Sequence, residues 1–206
     1  MKIDLEYLKD FYYFGGFADT TIEKLDMVFC GYGIDDSDFD SYTMDVKGKA
    51  VIILQGQPEG KKFVKDWDNW RLKLRTAQAK GAAALYTIKD NFAESVERVR
   101  YFVENPQMQL HNKGRKKYDR IPNFYIPDSL AKVMLNKDYE GLMKDAIDEK
   151  AYKTGLQTNI KSFFIREDIT SENILGYIEG TDLKDEVLVI SAHYDHIGFD
   201  NGEICN

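Results

Sequence analysis

Residues 50–88 read AVIILQGQPEGKKFVKDWDNWRLKLRTAQAKGAAALYTI, and the hydrophobic period changes twice along them. Ala50-Val51-Ile52-Ile53-Leu54 is a short apolar run rich in β-branched residues, the pattern of a buried strand. Gly56, Pro58 and Gly60 then interrupt any regular structure. From Asp66 onward Trp67, Trp70, Leu74, Ala77 and Gly81 recur at intervals of three and four, which predicts one apolar face of an amphipathic helix. Arg71, Lys73, Arg75 and Lys80 fall off that face and are expected to be solvated. Gly81 ends the helix, and residues 82–88 return to a strand pattern. A strand, a helix and a strand in so short a span form a βαβ unit, which favours a parallel pair joined by a crossover helix. This unit sets the fold class as α/β, with α+β character at its margins.

Working outward, residues 25–32 predict a strand entering a Gly-Tyr-Gly turn, followed by an acidic loop at residues 35–40. Residues 91–103 favour a helix. Residues 111–120 form a polar loop with Lys113, Arg115, Lys116, Lys117 and Arg120. That loop reads either as an anion or partner patch or, more commonly for such charge runs, as a solvated surface. Pro122 restrains Ile121 to extended geometry, and Pro127-Asp128 opens a helix over residues 129–135. Tyr139, Leu142, Met143, Ala146 and Ile147 repeat the helical spacing. Beyond Gly155 the texture turns to strands, with candidates at residues 156–167, 172–178 and 187–192. The last is apolar on both faces, as a strand covered on both sides should be. Residues 157–192 are expected to form an antiparallel meander.

The 206 residues divide by roughly 150 per domain into about 1.4 domains. Hydrophobic residues make up 43% and charged residues 31%, with four prolines, a folded composition rather than a disordered one. The net charge of −7 argues against nucleic acid as a partner. No apolar run approaches the roughly 20 residues of a membrane span. The opening MKIDLEYLKD carries acidic residues where a signal peptide would be basic, so no signal peptide is visible. Cys30 and Cys205 fit no metal or redox spacing, and Cys30 reads as a small buried hydrophobe.

Chemistry-bearing residues concentrate near the C-terminus, where residues 187–192 lead into His193-Tyr194-Asp195-His196-Ile197-Gly198. In extended geometry His193 and Asp195 share a face, because side chains two apart do. The carboxyl end of a buried strand in an α/β sheet is where ligands are held. A histidine there can offer one ring nitrogen to zinc, with a nearby carboxylate orienting it. His196 leaves that face if the strand continues and ranks second. Alone, His-x-Asp describes a hydrogen-bonded structural histidine more often than a metal ligand.

The longer run Asn173-Ile174-Leu175-Gly176-Tyr177-Ile178-Glu179-Gly180, a charged turn, then Val189-Ile190-Ser191-Ala192-His193-Tyr194-Asp195-His196-Ile197-Gly198 closely resembles the opening of the M28 family of zinc aminopeptidases and carboxypeptidases. Upstream, residues 25–33, 45–54, 77–88 and 122–135 resemble a protease-associated (PA) domain, most recognisably at Ala77 to Ala84. The resemblance implies a lead-in over residues 1–24, a β-rich PA-like domain with a βαβ element and flanking helices over 25–150, and the first strands of a zinc-peptidase α/β sheet over 151–206, with the boundary near 148–156. It implies His193 as the first zinc ligand and Asp195 as the aspartate that supports the site without ligating. It also implies two zinc ions in a complete site, with the bridging aspartate, the Glu-Glu pair, a further acidic ligand and a distal histidine all beyond Asn206.

On this reading the parent protein is a zinc-dependent exopeptidase acting on peptide substrates, and by family analogy secreted or periplasmic. The 206-residue chain itself is expected to be inactive and to bind zinc weakly at most, since a catalytic zinc needs about three protein ligands. The alternative is a PA-type module that binds a peptide or protein without catalysis. The sequence gives no oligomeric state.

Overall fold

The computed structural model describes residues 4–15, 19–105, 120–163, 165, 167–183, 185–193, 198–200 and 202–205. The chain divides into two units, Met1–Ile165 and Arg166–Asn206. In the first unit the strands are β1 (Tyr12–Tyr13), β2 (Thr20–Cys30), β3 (Asp35–Asp36), β4 (Phe39–Asp40), β5 (Ala50–Leu54), β6 (Ala84–Lys89), β7 (Asn123–Pro127) and β8 (Ala151–Ser162). Its helices are α1 (Trp70–Ala79), α2 (Phe92–Glu104), α3 (Asp128–Leu135) and α4 (Tyr139–Ile147).

Six strands form one mixed sheet in the order β1-β7-β6-β5-β2-β8. The β2–β5, β5–β6 and β6–β7 pairs are parallel, while β1 and β8 pair antiparallel with β7 and β2 at the two edges. β3 and β4 make a small separate hairpin. The predicted βαβ unit is therefore β5-α1-β6, and a second follows in β6-α2-β7.

β5 shows why an unbroken apolar run belongs in the middle of such a sheet, since all five of its residues are fully buried. Side chains alternate along the strand. Val51 and Ile53 pack with Leu74 and Ala77 of α1. Ala50, Ile52 and Leu54 pack on the other side with Leu130 and Ala131 of α3 and Leu142 and Ala146 of α4. Each buried branched side chain stabilises by roughly 1.5–3 kcal/mol. A smaller cluster of Tyr12, Phe92, Val96 and Tyr125 joins α2 to the β1–β7 edge.

Local chemistry fixes the element ends. The Asn69 side chain accepts from the Arg71 backbone N–H and caps α1. Gly81, at φ +85°, reverses the chain after α1, where a Cβ would stand 3.2 Å from Lys47 Cγ. Gly33, at φ +67°, lies so close to Ile53 that a Cβ would come within 2.9 Å of Ile53 Cγ2. The Gly-Tyr-Gly turn is thus a packing device against β5.

The boundary differs from expectation. β8 pairs with β2 over Thr20↔Ser162 to Cys30↔Ala151, so the first compact unit runs through the expected boundary at 148–156 and ends at Ile165. The lead-in also joins the sheet, through β1.

The second unit contains the antiparallel hairpin β9 (Gly198–Asp200) and β10 (Glu203–Cys205), turning at Gly202. The expected strands at 172–178 and 187–192 do not form, nor does the expected meander beyond β8. The described residues there lie in no helix or strand, and Ile174, Leu175, Ile178 and Leu188 are 87–95% exposed. A strand apolar on both faces is held by covering layers and by neighbours for its N–H and C=O groups. No described residue pairs with either run.

Among the described residues no helix is long and apolar enough to cross a membrane.

Candidate functional site

His193 lies in the second unit, exposed and in no helix or strand. Asp195 and His196 fall outside the described residues, as do His111, Lys113, Arg115, Lys116 and Lys117. The strand expected to present His193 is not formed among the described residues. Among the described residues there is no group of three or more His, Cys, Asp or Glu side chains that could hold a metal ion. One imidazole is a suitable zinc donor, but it does not make a zinc site, and the described residues therefore do not fit the two-ion centre.

Polar groups do gather elsewhere, at the carboxyl ends of the parallel strands. Helical spacing predicts Lys73 in solvent, but the structure buries it: Lys73 is only 3% exposed. Its four-carbon stem runs inward from α1, and its ammonium donates to the carbonyls of Leu54 (3.1 Å) and Gly56 just past the end of β5. It also stands 5.8 Å from the Tyr32 ring centroid. Burial pushes its pKa down to about 7, with Asp68 partly opposing the shift. A cation here satisfies carbonyls that have no strand partner, which explains why the desolvation is tolerated.

One strand over, Lys89 at the end of β6 donates to Gln55 Oε1 (2.6 Å) and Ser95 Oγ (3.2 Å). Ser95 Oγ donates to Asn91 Oδ1 at 3.2 Å. Burial and the nearby Arg98 charge lower the Lys89 pKa, while Asp90 raises it. A serine beside a lysine of lowered pKa has the composition of a nucleophile and its base. Ser95, however, is 3% exposed, so the trio ties α2 to the sheet and offers no substrate a hydroxyl. Cys30, fully buried, has its thiol pushed up to about 12 by desolvation; it is a packing residue.

A concavity of about 540 Å³ lies beside α1. Trp70, Arg71, Leu74, Arg75 and Gln78 of α1 line it together with Arg120. Of the basic residues that the sequence placed in the 111–120 loop, Arg120 alone is described, and it meets two arginines from a helix some fifty residues earlier. Spacing along the helix puts Arg71 and Arg75 on one side of α1, but nothing local in the sequence brings Arg120 to them.

No protein-family model matches the chain, and no curated protein matches it. Among solved structures, an aminopeptidase from Aneurinibacillus sp. strain AM-1 is matched at 16% sequence identity with a TM-score of 0.36. The match covers 73% of this chain and 26% of that one, so the chain spans about a quarter of that protein's length.

Proposed function

We propose that this chain is the N-terminal portion of a zinc-dependent exopeptidase. The first unit serves as an accessory domain of PA type, shaping access to the substrate or binding a partner, and the second is the opening of the catalytic domain. The observation that carries this reading is the run from Asn173 to Gly180 followed by Val189 to Gly198. His193 is assigned as the first ligand of one of two zinc ions, Asp195 as the carboxylate that orients the site, and His196 as the alternative ligand. The exposed branched residues Val187, Leu188, Val189 and Ile190, at 78–88% exposure, support it, because such a run is the composition of a strand buried inside a sheet. The described residues supply no full ligand set, so no reaction step is assigned to this chain.

The decisive experiment is to express the uninterrupted reading frame and measure release of amino acid from aminoacyl-nitroanilides with and without a zinc chelator. The expected result is zinc-dependent hydrolysis that His193→Ala reduces by at least a thousandfold. The 206-residue chain alone is expected to give no turnover. A frame that stops without further acidic ligands, or hydrolysis indifferent to zinc, overturns the proposal.

A second reading has its own support. The first unit has a continuous core on both sheet faces and no accessible catalytic constellation among its described residues. That favours a non-catalytic interaction module if the reading frame carries no catalytic half.

A further inference from the structure

The concavity beside α1 has a charge pattern at odds with the chain's net charge. The chain carries a net charge of −7, yet Arg71, Arg75 and Arg120 converge on one space of about 540 Å³. No acidic residue occurs anywhere in α1. On α2 the arginines behave differently: Arg98 pairs with Glu94 at 3.5 Å, and Arg100 with Glu97 and Glu104 at 3.3 and 3.2 Å. Among the described residues Arg71, Arg75 and Arg120 have no such carboxylate. Like charges one helical turn apart work against the helix, and Arg120 brings a third positive charge to the lining of the same space.

Part of the lining is held in place by ring stacking. The Arg71 guanidinium stacks 4.7 Å from the Trp70 ring centroid, and Trp70 in turn stacks on Phe14 at 6.2 Å, which limits where that charge can go. Leu74, 4% exposed, gives the floor an apolar patch. The volume falls within the roughly 300–1,000 Å³ of small-molecule sites. Guanidinium forks match carboxylate and phosphate oxygens two at a time.

We propose that this groove is a binding site for a small organic oxyanion carrying two or more negative charges on phosphate or carboxylate groups, gripped by Arg71, Arg75 and Arg120 over the Trp70–Leu74 floor. Three separate cations suit a multivalent ligand far better than a monovalent one, and the apolar floor suits a ligand with a carbon body. The site is independent of zinc and of the exopeptidase reading.

The test uses the full chain, titrated at low ionic strength with pyrophosphate, citrate, acetate and glycerol, and followed by calorimetry. Pyrophosphate, citrate or both are expected to bind below about 1 mM, with acetate and glycerol far weaker. Tighter binding of pyrophosphate identifies a phosphate-bearing ligand, and tighter binding of citrate a polycarboxylate. Arg75→Gln and Arg120→Gln should each weaken the preferred probe roughly tenfold, the loss of one charge-assisted hydrogen bond. Arg98→Gln, whose charge is already paired on α2, should change affinity less than twofold, and unchanged melting temperatures will show that the variants fold. No binding of either polyanion at about 10 mM, or equal affinity in the triple variant R71Q/R75Q/R120Q, overturns the proposal.

Discussion

Two apolar runs of similar composition meet opposite fates. Ala50–Leu54 is fully buried and hydrogen-bonded on both edges, between β2 and β6. Val187, Leu188, Val189 and Ile190 are 78–88% exposed and pair with nothing among the described residues. Hydrophobicity supplies a driving force without direction; helices on both faces and strands on both edges turn it into a strand. The difference between the runs is therefore one of neighbours and not of residues.

The strongest way to break the comparison is to cut the same kind of side chain from each run. Ile53→Ala should cost about 2–5 kcal/mol, because it opens a cavity between Val51, Leu74 and Ala77 that the packed sheet cannot close. Val189→Ala should change stability by less than about 0.5 kcal/mol. Urea denaturation of the full chain, followed by tryptophan fluorescence from Trp67 and Trp70, measures both. Equal costs at the two sites would show that residues 187–190 are buried after all.

A second contrast concerns charge. Lys73 has its folded pKa lowered to about 7, against about 10.4 in the unfolded chain. Between those values the unfolded state holds more protons at this side chain, so Lys73 alone makes stability rise with pH. Against the opposite trend from the buried Cys30 thiol above about pH 8.5, Lys73 should contribute a slope of up to about 1.4 kcal/mol per pH unit near pH 8–9. Lys73→Met should flatten it, and a slope surviving in Lys73→Met would assign it to other groups.

The cap of α1 tests a smaller energy. Asn69→Ala removes the acceptor for the Arg71 N–H and should lower stability by about 1 kcal/mol, read as a shift in the urea midpoint. Smallest of all in stability, but visible in another observable, is Leu188→Lys. It should leave the unfolding transition in place and reduce binding of the dye ANS, because exposed apolar surface is what the dye reports. An unchanged ANS signal would place the dye site elsewhere.

The local elements were legible because their signals are local. Residues 50–54 fit a strand, the three-and-four spacing from Trp67 fits α1, and Pro127-Asp128 marks the start of α3. What escaped was non-local or hidden by side-chain type. β8 closes the sheet by pairing with residues over a hundred positions earlier, a partnership that no pattern within β8 announces. Lys73 looked solvated because a lysine off the apolar face normally is; only the carbonyls left over at the end of β5 explain its inward turn. For the candidate site, the sequence named His193, Asp195 and His196 from a motif, and of these only His193 is among the described residues. The arginine groove was half visible, since helical spacing groups Arg71 with Arg75 but cannot reach Arg120.

The β2–β8 pairing also sets an order of events during synthesis. Thr20 meets Ser162 and Cys30 meets Ala151, so the outer edge of β2 has no partner until the ribosome has released residue 151 and is fully covered only after residue 162. By then β5, β6 and β7 are all available to form the parallel centre, whose pairs span far shorter loops and close sooner. During that interval the nascent chain carries an open strand edge, the feature most prone to pair with another molecule. Any chaperone dependence of this protein should therefore centre on the interval between emergence of β7 and arrival of β8.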